Sequence, residues 1–394
     1  MSKANGQLMK TMNRRLLIET IIEHGTISRS ELARKIGLNK STVSEQINGL
    51  LEEALLIEEE ATASSGGRKP IFLKINRQAG YAIGVDVDHP QILVHITDLL
   101  GETLEVRTLH LEDEPIDHAM DVLIKALQDI RSTYDKTHTP TGLTGIGIGI
   151  HGIVRNDQHV VFTPKLQWKD TNIQQRLEEE IQAPIYIDNN SNLSAFAEQA
   201  LRFSSTEDLF CVTMYSGIGL GIVKNREIYR GFQGFAGEIG HMIIESNGRL
   251  CPCGNRGCWE GYASEKAILA RLQEVDDTLQ PQEIPGLLQS GTHMDVFNSF
   301  FDYMSIGLNN IINIFNPETI ILNGDILNQN PHVISQIEVR LKSKMNHYKR
   351  IEPSHLGKHA CALGGSMVAL KSFYGIHQLN LSQYEYHENL AKTI

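Results

Sequence analysis

Three of the five cysteines in this 394-residue chain fall within eight residues, Cys251-Pro252-Cys253-Gly254-Asn255-Arg256-Gly257-Cys258. Upstream stands His241, at the end of Gly237-Glu238-Ile239-Gly240-His241. One imidazole and three thiolates complete a closed tetrahedral shell, the geometry of structural zinc. The glycines between the cysteines let the chain fold round the ion. With no position left open for water, such an ion performs no chemistry of its own. An odd cysteine count argues against a disulfide framework, and clustering of this kind reads as metal ligation first. The competing reading is a set of free buried thiols beside an unrelated histidine. The missing second Cys/His pair and the acidic surroundings argue against a nucleic-acid zinc finger.

The rest of the chain is ordinary for a globular protein, 41% apolar and 21% charged. Its length suits two or three domains of roughly 150 residues. No apolar run approaches the roughly 20 residues of a membrane span. The longest, Leu143 to Val154, carries His151 and several glycines. The opening MSKANGQLMK lacks the apolar stretch of a signal peptide, so a cytoplasmic, non-membrane protein is expected. The net charge of −11 disfavours wholesale binding to polyanions, but it is unevenly spread. Residues 1–77 hold 12 Lys+Arg against 9 Asp+Glu, whereas the remainder holds 24 against 38. A mildly basic head on an acidic body implies that only the head meets nucleic acid.

That head has the pattern of a winged helix-turn-helix over residues 1–77. Leu17, Ile18, Ile21 and Ile22 set a helical period that Gly25 stops. Ser28, three residues before Glu31, signals a second helix ending at Gly37. Asn39 caps a third, whose buried stripe is Val43, Ile47, Leu50 and Leu51. Ala33, Gly37 and Val43 have the spacing of two helices crossing at a tight turn. Lys40, Ser41, Thr42 and Ser44 then lie near the exposed start of the third helix, where base edges are reached. Arg29 can meet the phosphate backbone, and Arg68, in Gly66-Gly67-Arg68-Lys69-Pro70, sits at the tip of a hairpin wing where it can enter a minor groove. An ordinary three-helix bundle would share the apolar stripe. The basic wing and the local charge reversal favour the DNA-reading alternative.

From residue 78 onward strands alternate with helices, which implies an α/β body. Strands are expected at 81–87, 92–97, 145–150, 184–188, 209–214, 221–224 and 319–323, with helices at 118–134 and 192–202. A small-residue turn is expected at Gly364-Gly365-Ser366, leading into a last helix. Glycine turns near residues 84 and 217 hint at a duplicated, two-lobed body.

Gly-Glu-Ile-Gly-His followed by Cys-x-Cys-Gly-x-x-Gly-Cys-x-Glu resembles the signature of the ROK family (repressors, open reading frames, kinases). A winged helix-turn-helix ahead of such a body resembles its repressor branch. Gly257-Cys258-Trp259-Glu260 and Tyr262-Ala263-Ser264-Glu265 are similar to the xylose repressors of that branch. The resemblance spans about residues 12 to 372. It implies a body of two actin-like (ribonuclease H-like) lobes over 78–394. The first lobe is expected at about 78–190 with the C-terminal helix, the second at about 191–365. A sugar would lie in the cleft between them. Carried over, its contacts are Asn189, Asn190, Glu238, His241 and Glu260, with zinc held by His241, Cys251, Cys253 and Cys258. Trp168 could wall the cleft, but core packing is the simpler expectation.

Two departures from the family's kinases matter. Their general base, the Asp of Asn-Asp, corresponds here to Asn190, and an amide cannot accept a proton near neutral pH. Asp188 is the rival base. Their first phosphate loop reads Asp-x-Gly-x-Thr, but this chain has Asp86-Val87-Asp88-His89-Pro90, with an added negative charge and a lost N–H and hydroxyl. No ATP binding and no enzyme activity are therefore expected. The resemblance implies a homodimer or higher homo-oligomer on inverted-repeat operator DNA, released by a monosaccharide, D-xylose. The alternatives are an ATP-dependent sugar kinase carrying a DNA-binding head, or a repressor answering to glucose or N-acetylglucosamine.

Overall fold

A computed structural model of the chain describes residues 2–60, 70–111 and 116–384. The head begins with α1 (Ser2–His24), which extends the expected helix back to Ser2 and buries Leu17, Ile18, Ile21 and Ile22. After a two-residue strand, β1 (Ile27–Ser28), Ser28 caps α2 (Arg29–Ile36) by accepting the Glu31 N–H. Gly37 ends α2 in the left-handed region, at φ 68°. Asn39 caps α3 (Lys40–Glu52) by accepting the Thr42 N–H. The wing pairs β2 (Leu56–Glu60) antiparallel to β3 (Ile71–Ile75), with β1 on the other side of β3. The wing tip, with Arg68, lies outside the described residues.

The body contains two five-stranded sheets built to one plan. In the first, β4 (Gly80–Val87), β5 (Gln91–Asp98) and β6 (Thr103–His110) form an antiparallel meander. Then α4 (Ile116–Tyr134) crosses over to β7 (Gly142–Ile150), parallel to β4. A small antiparallel sheet follows, of β8 (Ile153–Val154), β9 (Val160–Phe162) and β10 (Lys169–Thr171). The chain returns through α5 (Ile173–Ile181) to β11 (Ile185–Asn189), parallel to β7, and continues into α6 (Asn190–Leu201). The order is β11-β7-β4-β5-β6. Parallel neighbours require such crossovers, whereas the meander needs only turns.

The second sheet repeats this. β12 (Leu209–Thr213), β13 (Gly219–Lys224) and β14 (Glu227–Ile228) are antiparallel. A long segment follows with α7 (Glu260–Ala263), α8 (Glu265–Gln273), α9 (Ile284–Ser290) and α10 (Met294–Phe315). It leads to β15 (Thr319–Asn323), parallel to β12. Beyond α11 (Asp325–Gln329) and α12 (Ile334–Glu338), β16 (Arg350–Pro353) adds parallel to β15. The order β14-β13-β12-β15-β16 matches the first sheet strand for strand.

The last helix, α13 (Ala360–Tyr374), corrects one expectation. Gly364-Gly365-Ser366 do not form a turn; they lie in the middle of this helix and are fully buried. Their smallness serves close approach. A Cβ on Gly365 would stand 2.3 Å from the Gly147 carbonyl oxygen, and one on Gly84 would stand 1.7 Å from that of Ala362. α13 thus rests backbone on backbone against β4 and β7, while Gly364 abuts Leu193 of α6. One apolar cluster runs from Leu17 and Ile21 of α1 through Ala200 of α6 to Leu370 and Tyr374 of α13, so the head shares a core with the body. Among the described residues no helix is long and apolar enough to cross a membrane. Trp168 is 1% exposed and belongs to the core of the first lobe.

Candidate functional site

The turn 214–218 between β12 and β13, with the first residues of β13, is the hub around which the site residues gather. Gly219 faces the Ser191 hydroxyl at the start of α6, leaving a Cβ only 2.3 Å from it. Gly240 and Gly237 lie against the Ile218 and Leu220 carbonyls, which places Glu238 and His241 beside the same turn. A Cβ on Gly217 would meet Glu260 Oε2 at 3.0 Å. The Asn190 corner, the Gly-Glu-Ile-Gly-His segment and Glu260 therefore flank one turn, although they are far apart in the chain; of the expected sugar contacts, Asn190 alone also lines the cleft described below.

Beside this hub, the His241, Cys251, Cys253 and Cys258 donor atoms all lie within 4.8 Å of one another. Gly254 and Gly257, at φ 99° and 80°, fold the chain back on itself. Cys253 Sγ is 3.6 Å from Cys258 Sγ, and Cys251 Sγ is 3.6 Å from His241 Nδ1. A tetrahedral ion with bonds of about 2.3 Å needs donor separations of roughly 3.8 Å, so the donor set fits one metal ion. With Nδ1 toward the thiols, His241 Nε2 is left 3.9 Å from Glu238 Oε2. Glu260 Oε1 lies 3.2 Å from Cys251 Sγ. Burial raises the Glu238 carboxyl pKa, with His241 opposing it. Trp259 anchors the whole knot: its indole N–H donates to the Tyr303 carbonyl, and the ring packs on Gly307.

At the end of β11 the three residues 188–190 divide their work. Asp188 is buried, and its Oδ2 accepts from Arg230 Nε at 2.9 Å and pairs with Nη2 at 2.6 Å. Its Oδ1 accepts from the Asn189 N–H and from Asn192 Nδ2. Asn189 caps α6 by accepting from Ser191 and Asn192, while its Nδ2 donates to the Gly152 carbonyl. Asn190 lines a cleft of about 550 Å³. So the structure presents Asn190 to the cleft, commits the Asn189 amide to the helix cap, and holds Asp188 with both oxygens engaged.

The same cleft is bordered by Asp86, Asp88, Pro90, His151 and Lys165. His151 Nε2 bonds Asp86 Oδ1 at 2.9 Å, with Nδ1 3.9 Å from Asp88, and Lys165 Nζ meets Asp88 Oδ2 at 2.7 Å. The acidic loop is thus matched by cations from its own chain. Burial disfavours the His151 cation, but Asp86 and then Asp88 outweigh it and hold the imidazole above its ordinary value. Across the cleft, burial pushes the Glu265 carboxyl up to about 8. A raised His151 stabilises the fold fully below about pH 6.5 and progressively less as pH rises through the folded-state value. The melting temperature of the wild type should therefore exceed that of His151→Asn most at pH 6, with the gap closing by pH 9. A gap independent of pH would exclude a charged His151.

In the head, Lys40, Ser41, Thr42 and Ser44 occupy the first turns of α3, with Lys40 and Ser41 exposed. Ser41 Oγ donates to Asn39 Oδ1. Arg29 is already partnered by Glu58 and Asn48, linking α2 to the wing.

The sequence profile described as winged helix-turn-helix DNA-binding matches residues 13–53, and that of the ROK family matches residues 82–372. The chain belongs to the ROK family. A relative named xylose repressor, from Bacillus subtilis (strain 168), is 38% identical over 95% of this chain and 98% of its own. The crystal structure of a ROK family transcriptional regulator, a homolog of the E. coli MLC protein, superposes with a TM-score of 0.80 at 23% identity, covering 93% of this chain and 97% of that one. A ROK glucokinase from Streptomyces griseus, solved with glucose and AMPPNP, aligns at TM-score 0.65 and 23% identity, over 73% of this chain and 99% of its own. Both likenesses concern the ROK fold. Two residues that shape this ROK site, Arg230 and Lys165, carry no local sequence signal. Their partners lie 42 and 77 positions away.

Proposed function

We propose that this chain is a sugar-responsive transcriptional repressor, not an enzyme, and that its effector is D-xylose. The observation that carries the reading is the Asp188–Asn190 corner. The cleft receives a carboxamide where the family's kinases need a proton acceptor, and the neighbouring carboxylate is bound by Arg230. The ion pairs of Asp86 and Asp88 support it, because the family's phosphate loop is here occupied by internal charge partners. The xylose repressor relative supports the choice of sugar.

Zinc held by His241 Nδ1, Cys251, Cys253 and Cys258 would fix the orientation of the His241 ring. That leaves Nε2, Glu238, Glu260 and Asn190 as hydrogen-bond partners for adjacent hydroxyls of a pyranose. The ion supplies rigidity and no catalysis. Asn189 acts through its cap, setting where Asn190 stands. On DNA, a homodimer would place one α3 in each major groove of an inverted repeat, with Lys40, Thr42 and Ser44 toward the bases and phosphates. Arg29 and Arg68 would serve the backbone and minor groove. Sugar binding would weaken the operator complex by the typical allosteric coupling, roughly 5–150-fold.

The test is operator binding measured against D-xylose, glucose and N-acetylglucosamine, alongside an ATP turnover assay with the same sugars. Release by D-xylose with no turnover is expected. Release by another sugar alone would reassign the effector, and sugar phosphorylation would overturn the non-enzymatic reading.

A further inference from the structure

The β13–β14 hairpin turns at Asn225 and Arg226, whose φ values of 51° and 62° are those of a tight two-residue turn. Leaving this turn, the chain passes through Arg230 and Gly231 to Glu238. On that side it grips the first lobe. Arg230 holds Asp188, the Gly231 carbonyl accepts from Asn156 Nδ2 at 3.3 Å, and Gly234 lies against the Val154 carbonyl. On the other side it grips the end of α13 and the segment after it. Arg226 Nη1 donates to Gln378 Oε1 at 2.5 Å, Lys371 Nζ meets Glu227 Oε1 at 2.8 Å, and Ile228 packs on the cluster shared with α1.

Gln378 also faces the head. Its backbone N–H donates to Glu19 Oε1 of α1 at 2.9 Å. Five residues later in α13's trailing segment, the Gln383 amide and the Tyr384 hydroxyl both donate to the Ile22 carbonyl of the same helix. α1 in turn reaches the end of α3 through Arg14, whose guanidinium pairs with Glu53. Polar contacts therefore lead from the sugar-side loop to Gln378, to Glu19, and to the helix that reads DNA.

We propose that the segment 224–238 is the strap that conveys effector binding to the head, with Arg226, Gln378 and Glu19 as its relay. The inference rests on the repressor reading above. Its physical basis is that Glu238 and Arg226 belong to one short stretch, which leaves the second sheet and is anchored both on the first lobe and on the C-terminal tail that holds α1. A sugar drawn between Asn190 and Glu238 shifts that stretch against the first lobe, and the hairpin tip must follow. The tip is joined to the head by two directional hydrogen bonds through a single residue. Such bonds weaken steeply with misalignment, so a modest displacement changes how α1 is held. Coupling of this kind requires an element whose arrangement both sites bias.

Arg226→Ala and Glu19→Ala test the relay in the full-length protein, with Arg340→Ala, which removes an ion pair to Asp302 of α10, as control. Three quantities are read: D-xylose affinity by calorimetry, operator affinity without sugar, and the factor by which D-xylose lowers operator affinity. Both relay variants should keep the first two within about threefold of wild type, while the third falls from roughly 5–150-fold to below about 2-fold. The double variant should lose nothing further, because the two residues act in series. Arg340→Ala should respond as wild type does. If the relay variants release operator as fully as the wild type, the strap proposal is overturned and the repressor reading stands. If D-xylose neither binds the wild type nor releases its operator, the D-xylose reading and this inference fall together.

Discussion

Stripping the metal from the His241–Cys258 knot is expected to abolish the sugar response while leaving operator binding in place. Between Glu238 and Glu260 the chain has little regular structure: a single 3-10 turn at Ile239–His241, two isolated bridges, Ile243 with Cys258 and Leu250 with Arg256, and scattered backbone hydrogen bonds such as Cys251 N–H to the Asn255 carbonyl. Ile243 and Leu250 are 59% and 69% exposed, so apolar burial does not hold the loop at those points. On the proposal that the four donors, which lie within 4.8 Å of one another, share one ion, that ion is the main cross-link of the loop. In small domains, structural zinc contributes an apparent 10–16 kcal/mol of folding energy at neutral pH. A fraction of that lost here would free His241, and with it the approach of Glu238 and Glu260 to the hub loop. Treatment with a strong chelator, or Cys258→Ser, should lower the first melting transition by about 5 °C or more, at a few degrees per kcal/mol. It should also erase the thermal stabilisation that D-xylose gives, which follows from binding to the folded state alone. Gel-shift affinity for operator should change little, because the head's core of Leu17, Ile21, Ile47 and Leu50 contains no part of the knot. Metal-free protein that still releases its operator in response to D-xylose would remove His241 from the sugar site.

How much of this was open to reading in the chain depended on distance along it. The head was legible because its signals are local. Ser28 accepts from Glu31, Asn39 from Thr42, and Gly37 supplies the left-handed residue between them, all within a few positions. The knot was legible for the same reason, since three of its four donors lie within eight residues. Non-local pairings left no trace. Asp188 shows in sequence as a candidate base, and only the fold brings Arg230 onto it from 42 residues away. Arg29 reads as a free cation until Glu58 arrives from the wing. β6, an edge strand, alternates apolar and charged residues only over Leu104-Glu105-Val106-Arg107 before Thr108-Leu109 breaks the pattern, too short a run to stand out. Gly364-Gly365 has the composition of a turn, and nothing nearby reveals that its partner is Gly147, more than 200 positions upstream.

That glycine contact sets the second large effect. Gly147→Ala is expected to prevent folding, or to lower the melting temperature by about 10 °C or more. The added methyl would stand 2.1 Å from the Gly365 carbonyl oxygen and 2.4 Å and 2.5 Å from its carbonyl carbon and Cα. These are backbone atoms in the middle of a buried helix, so no side chain can turn aside. Gly147 pairs with Gly84 in the parallel register of β4 and β7, and Gly84 is itself pressed against Ala362. α13 would have to rise off both strands together, opening space beside Leu363, Met367 and Leu370, all buried. Overpacking against side chains costs typically 1–3 kcal/mol; against fixed backbone the cost should lie at or beyond the upper end. Gly286→Ala, inside α9 where a Cβ meets nothing within 4 Å, is the matched control and should stabilise slightly, by roughly 0.5–1 kcal/mol. The effect should also reach function, because Cys361 near the start of α13 lines the cleft while Gly375, just beyond its end, lies against Arg15 of α1. A helix lifted in its middle cannot keep both ends seated. A soluble Gly147→Ala protein melting with the wild type and releasing operator normally would mean that α13 does not rest directly on the strands.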